Sequence, residues 1–202
     1  MSDSKARELL KVAGAESRRL ERHLLVAAAL RKILTSDPIV VGGTAEEYWT
    51  ADEYHETDLD ICVPLTRGDE AALRRFGFRK RGRHWSLYLA SSIVAVEFPD
   101  SRIDGDESRT VEPRIGPGRP RIIGLDDLYL DRLRQATMST HEGVEFHSAL
   151  AVVAAAYDEI DWRYVRNRLR TIANDDPTVG ESMKRVDSRI RRRVRRALSE
   201  PS

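Results

Sequence analysis

Cysteine is almost missing from this chain: Cys62 is the single one in 202 residues. That excludes an internal disulfide framework, and no grouping of Cys with His has the spacing of a zinc site. Long apolar runs are missing too. No stretch approaches the roughly 18 apolar residues that span a bilayer, and the opening MSDSKARELLKV lacks the uninterrupted apolar core of a signal peptide. No membrane partner is expected, and a reducing cytoplasm is the expected compartment. An excess of charge of one sign is also lacking, with 34 Lys and Arg against 33 Asp and Glu. The whole chain therefore projects no field that would name a partner. No internal repeat is visible, and the one biased segment is an arginine-rich run near the C-terminus.

What is present describes a globular protein with a heavily charged surface, 41% apolar and 33% charged. Apolar residues recur at helical spacing over residues 5–34, with Gly14 as a dividing point between a short helix and a longer one. Pro38 stops that pattern, and Ile39 to Val41 form a short buried strand ending at glycines. Residues 44–50 allow one or two helical turns, and residues 57–63 alternate as a strand closed by Pro64. GDEAALRRFGF predicts a helix with Gly77 near its end. HWSLYLA and SIVAVEFP predict an antiparallel hairpin. From Asp100 to Pro120 the chain is irregular, with a short strand near residues 110–112. Arg121 to Ile123 predict another strand, Asp126 the cap of a helix carrying Leu128, Leu130 and Leu133, and further helices follow over 145–157, 161–173 and 179–198. The expected architecture is α+β (α/β): a small mixed sheet flanked by helices, then a helical C-terminal region. The expected divisions are residues 1–35, 36–123 and 124–202.

The chemistry concentrates in VVGGTAEEYWTADEYHETDLDICVP, residues 40–64. On a strand, residues i and i+2 face the same way, so Asp58 and Asp60 project together while Leu59 and Ile61 enter the core. Two carboxylates held so close repel unless a cation sits between them. Mg²⁺ (or Mn²⁺) suits them, because it takes oxygen ligands and leaves room for phosphate oxygens. Gly42 and Gly43 make a strand-to-helix turn without side chains, where backbone N–H groups and a helix N-terminus attract phosphates. Thr44 adds a hydroxyl. A cation site beside an anion cradle implies a nucleotide bound as its metal complex. Taken separately, two glycines mark any tight turn and alternating aspartates a solvated strand face; the conjunction carries the reading. Tyr48, Trp49 and Tyr54 line the cleft or simply pack, and His55 and His84 are assigned to surface or loop packing.

The order of apolar strand, Gly-Gly-Thr, a linker of about a dozen residues and Asp-Leu-Asp resembles the signature of the DNA polymerase β-like nucleotidyltransferase superfamily. That resemblance implies a third carboxylate on a later strand, and Glu97 in SIVAVEFP stands in that place. An acidic residue in so apolar a strand needs a cation or an open cleft. VVGGTA, EYHETDLDI, VEFP, GLDDLYLDRLRQA and DEIDWRYV are also similar, over residues 36–166, to small prokaryotic proteins related to the abortive-infection-type nucleotidyltransferases, which include toxins. This implies a basic residue contacting the nucleotide phosphates from a helix after the sheet. Arg132 takes that role here, where those toxins have lysine, with Asp127 or Asp131 nearby on the same helix.

The activity so implied is transfer of a nucleoside monophosphate from an NTP to a hydroxyl on RNA, such as tRNA, or on protein. Asp58, Asp60 and Glu97 would act as metal ligands and catalytic groups, with Glu97 also available as general base. Gly42, Gly43, Thr44 and Arg132 would bind the nucleotide. A toxin role, with a cognate antitoxin or toxin as partner, is the extension of that reading. The alternative is a nucleotide-binding or antitoxin-like regulatory protein of the same fold with little catalysis. Near the C-terminus, MKRVDSRIRRRVRRAL places Val186, Ile190, Val194 and Leu198 as one apolar stripe and its arginines opposite. Those arginines attract RNA or balance acidic surface elsewhere; no aromatic platform accompanies them.

Overall fold

The structure, a computed structural model, describes residues 2–51, 58–90, 92–138 and 142–199. It divides into two compact units, one drawn from residues 1–48 and 52–124 and the other from residues 49–51 and 125–202.

The first unit opens with two packed helices, α1 (Ser2–Ala15) and α2 (Arg19–Ile33). Gly14 stays inside α1; the break falls at residues 16–18, where Glu16 Oε1 accepts the Arg18 N–H at 3.0 Å. Every residue of α2 from His23 to Leu30 is buried. A run apolar on all sides belongs inside a core rather than on one amphipathic face.

Five strands form one mixed sheet in the order β1–β2–β5–β4–β3: β1 (Ile39–Val40), β2 (Asp58–Cys62), β3 (Phe78–Arg81), β4 (His84–Tyr88) and β5 (Ile93–Glu97). β2 runs parallel to β5, and the other pairings are antiparallel. Between strands lie α3 (Gly42–Thr50) and α4 (Arg67–Arg75). Leu59, Ile61, Val94, Val96, Trp85 and Leu87 are buried along β2, β5 and β4. The sheet therefore presents one apolar face to the core and one polar face, as alternation dictates.

The expected hairpin of β4 and β5 is present, but β3 is an addition. Its sequence, FRKR, has one apolar residue, so no period of two is legible; Phe78 is buried and the three basic residues are exposed at the sheet edge. Charged side chains are typical of an edge strand, where they discourage further pairing. The strand expected at Arg121 to Ile123 is reduced to single bridges, from Ile122 to Val111 and to Val40. The segment is too short, and its neighbours too irregular, to extend a ladder.

One carboxylate ties α4 into this unit. Asp69 Oδ2 accepts from Thr66 N and Oγ1 at 2.9 and 2.7 Å, and Oδ1 accepts from Thr35 N and Oγ1 at 2.7 and 2.9 Å. Thr66 Oγ1 in turn accepts from Asp69 N, completing a capping box. Burial alone would raise the Asp69 pKa, but these hydrogen bonds prevail and hold it below the ordinary range.

The second unit contains α5 (Leu125–Met138), α6 (Val144–Ala156), α7 (Trp162–Asp175) and α8 (Pro177–Ser199). Asp126 does not cap α5, as the sequence suggested. It lies inside the first turn and accepts the Asp161 N–H at 2.8 Å, while Asp161 caps α7. Gly180 lets α8 approach α7, since a Cβ there would lie 2.3 Å from Ala173 Cα. The buried row of α8 is Met183, Asp187, Ile190 and Val194, with Val186 half-buried and Leu198 66% exposed. A stripe spaced every four residues drifts about 40° per step around a helix of 3.6 residues per turn, so the expected row leaves the core before its end. Asp187 is tolerated because Tyr129 OH donates to it at 2.9 Å and Arg191 stands 2.8 Å away; burial still pushes its carboxyl upward. No helix among the described residues is long and apolar enough to cross a membrane.

Asp69→Ala leaves the donors of Thr35 and Thr66 without their acceptor and is expected to cost about 2–4 kcal/mol of stability. Urea unfolding followed by circular dichroism measures it; a loss below about 0.5 kcal/mol would show that water replaces the carboxylate at no cost.

Candidate active site

Two strands place the acidic groups and a third adds a histidine. On β2, Leu59 and Ile61 are fully buried, which leaves Asp58 and Asp60 on the opposite face. The parallel register sets Asp60 beside Glu97 and Asp58 beside Ala95. The antiparallel register of β4 with β5 then sets His84 opposite Glu97. Asp60, Glu97 and His84 thus form a row across β2, β5 and β4. Trp85 and Leu87 point inward from β4, so His84 shares the acidic face.

The side chains gather more narrowly than the register requires. Asp58, His84 and Glu97 each offer a donor atom, all within 4.8 Å of one another, and all three residues are half-buried. His84 Nδ1 lies 3.5 Å from Asp58 Oδ2 and 3.7 Å from Glu97 Oε2. This nitrogen is shielded from solvent and has no hydrogen-bond partner. Arg83 supplies the nearby positive charge: its Nε is 2.9 Å from Glu97 Oε1 and donates to His84 Nε2 at 3.2 Å.

Asp60 leans the other way, onto the glycine turn. A Cβ on Gly42 would lie 2.1 Å from Asp60 Oδ2, and Gly42 has φ +63°. Glycine is therefore required twice there, for the left-handed backbone and for the room it leaves the carboxylate. Val41 N donates to Asp60 O at 3.0 Å, fixing the turn against the strand. α3 starts at Gly42, so the turn, the helix N-terminus and the carboxylate meet at one residue.

Gly43 and Thr44 are buried. The Thr44 hydroxyl donates to Asp58 O at 3.3 Å, which leaves its oxygen to accept from His23 Nδ1 at 3.2 Å. Burial, then the charges of Arg19 and Arg22, press the His23 pKa down to about 4, against a weaker opposing pull from Asp58. His23 is therefore neutral near pH 7, with its one ring proton on Nδ1, where it donates to Thr44. The hydroxyl assigned to the nucleotide from the sequence is engaged in holding the first residue of β2.

Arg132 belongs to the second unit. It is buried on α5, donates to Gln135 Oε1 at 2.9 Å and stands 3.7 Å from Asp131 Oδ2; Asp127 accepts from Tyr164 OH at 2.7 Å. Tyr54 and His55 lie outside the described residues. From the sequence His84 is assigned to surface or loop packing, and Arg83 carries no signal. The alternation in HWSLY shows that His84 shares a face with Ser86 and not with Trp85; that this face is the acidic one depends on strand pairing. Two carboxylates and one imidazole suit a small divalent cation, and the solvent-shielded Nδ1 of His84, which makes no hydrogen bond, fits that use.

No protein-family model matches the chain, and no curated protein matches it. Among solved structures, it is similar to an antigenic nucleotidyltransferase-like protein from Paracoccidioides brasiliensis, with TM-score 0.54 and 14% identity over 83% of this chain and 93% of that one. The solution structure of the antibiotic-resistance factor ANT(2'')-Ia also matches, with TM-score 0.48 and 15% identity over 77% of this chain and 93% of that one. The fold is nucleotidyltransferase-like, the α+β class expected from the sequence.

Gly42→Ala meets both a left-handed backbone and Asp60, whereas Gly116, at φ +53°, has no atom within 4 Å of an added Cβ. Gly116→Ala is expected to cost about 1–2 kcal/mol, the backbone term alone, and Gly42→Ala clearly more in the same urea titration; equal costs would refute the close approach of Asp60. His23 yields a second prediction, with its sign set by linkage. Between pH 6.5 and 4 the unfolded chain takes a proton on this ring and the folded chain does not, so stability falls as the pH falls. The contribution is about 3 kcal/mol across that window, and His23→Gln flattens the profile relative to the unaltered protein. Parallel profiles for the two proteins would exclude it.

Proposed function

We propose that this protein is a divalent-cation-dependent nucleotidyltransferase that moves a nucleoside monophosphate from an NTP to a hydroxyl acceptor. The observation that carries this reading is the convergence of Asp58, Asp60 and Glu97 from two strands onto one face, with Asp60 against the bare Gly42 at the start of α3. A phosphate cradle and a carboxylate cluster in contact are what a metal–nucleotide complex demands.

In this mechanism Asp58, Asp60 and Glu97 would hold the cation, and the α3 N-terminus with the Gly42–Gly43 backbone would receive the phosphates. The cation, when bound, offsets charge on the phosphates and lowers the pKa of a coordinated hydroxyl. Glu97 is placed to take the proton as the acceptor oxygen bonds to the α-phosphorus. The bond to the bridging oxygen breaks, and pyrophosphate leaves with its electron pair. Thr44 and His23 keep β2 in position beneath these groups. The sequence resemblance alone assigns Arg132 to the phosphates and adds a toxin role with an antitoxin partner. Arg185, Arg192 and Arg196, exposed on α8, favour RNA as the acceptor.

Incubation with each labelled NTP, Mg²⁺ or Mn²⁺ and either total RNA or total cell protein tests the reading. Label is expected on RNA, and Asp58→Ala with Asp60→Ala should lower transfer by about 100-fold or more. Metal-dependent NTP binding without transfer to either pool would leave a nucleotide-binding protein. Absence of such binding, or label that survives the double substitution, would overturn the assignment.

A further inference from the structure

We infer that His84 is a direct ligand of the cation through Nδ1, so that the centre is a mixed nitrogen–oxygen site favouring Mn²⁺ over Mg²⁺. The inference rests on the metal-dependent reading above and refines it. A two-carboxylate motif on β2 with Glu97 on β5 predicts an all-oxygen site, the natural set for Mg²⁺. The three donor atoms that approach one another within 4.8 Å are instead those of Asp58, His84 and Glu97, while Asp60 is drawn toward Gly42.

His84 is held there by the sheet rather than by its own polar contacts. Register opposite Glu97 fixes its backbone, and burial of Trp85 on the other face fixes the direction of its side chain. The ring is 32% exposed, yet Nδ1 itself is shielded and makes no hydrogen bond, with carboxylate oxygens 3.5 and 3.7 Å away. Those separations exceed a hydrogen bond and leave space between the three groups. A cation among them would be bound by each at once. Imidazole nitrogen binds Mn²⁺ and later transition ions far better than Mg²⁺, which prefers oxygen.

The protons account for Arg83. Its Nε–H donates to His84 Nε2, which presents a lone pair to it. Ligation needs the Nδ1 lone pair, and a neutral imidazole bound through Nδ1 carries its proton on Nε2. Nε2 then cannot accept from Arg83, and the incoming charge repels the guanidinium from Glu97 as well. Arg83 is free to leave, being 76% exposed and attached to the site by these two contacts. It is a resident cation that the metal displaces.

Pulsed electron paramagnetic resonance of the full chain loaded with MnCl₂ is the deciding measurement. Nitrogen hyperfine modulation on the Mn²⁺ signal is expected in the unaltered protein, lost in His84→Asn and retained in Ser86→Ala, a control on the same strand and face. Calorimetric titration should show the preference for Mn²⁺ over Mg²⁺ falling about tenfold in His84→Asn. Arg83→Ala should tighten Mn²⁺ binding. Bound Mn²⁺ without nitrogen modulation, or an unchanged Mn²⁺ to Mg²⁺ preference, would overturn the role of His84 and leave the nucleotidyl-transfer reading standing. Failure of the unaltered protein to bind either cation would overturn both.

Discussion

The parallel pairing of β2 with β5 is the constraint on which the site depends. It sets Asp60 beside Glu97 and Asp58 beside Ala95, joining residues that lie far apart in the chain. A shift of one residue would turn Glu97 to the core face and bring Val96 out, because side chains alternate with a period of two. The register is held by what lies beneath: Leu59, Ile61, Val94 and Val96 are buried in a continuous apolar layer. Burial on one face thus specifies the chemistry on the other.

The polar face is supported by contacts made from beneath it. Thr44 reaches the Asp58 carbonyl, His23 donates to Thr44, and the ring stays neutral because burial opposes its charge. Gly42 brings the turn so near Asp60 that no side chain fits between them. These contacts join the start of α3 to the start and middle of β2.

The second unit spends much of its charge internally. Glu142 takes both Arg189 and Arg193, Asp187 takes Arg191, and Arg195 donates to Tyr157 OH at 2.7 Å. The arginine run is therefore not one uniform basic surface. Exposed ion pairs of this kind add little stability, whereas the buried Asp187 with Tyr129 and Arg191 sits between helices α5 and α8, where loss of one partner strands the others.

By itself the sequence determined the local parts. The glycine turn, the alternation that turns Asp58 and Asp60 outward, the β4–β5 hairpin and most helices follow from periodicity and turn chemistry, which act over a few residues. Tertiary structure decided the rest, because it depends on distant pairing and burial. It made a strand of FRKR at an edge, moved Asp126 from cap to cross-helix acceptor, and rotated the buried row of α8 by the mismatch between four and 3.6 residues. It also turned the Thr44 hydroxyl inward and set His84 among the carboxylates. No local pattern distinguishes a histidine at the surface from one opposite Glu97: that difference is created when β4 and β5 pair.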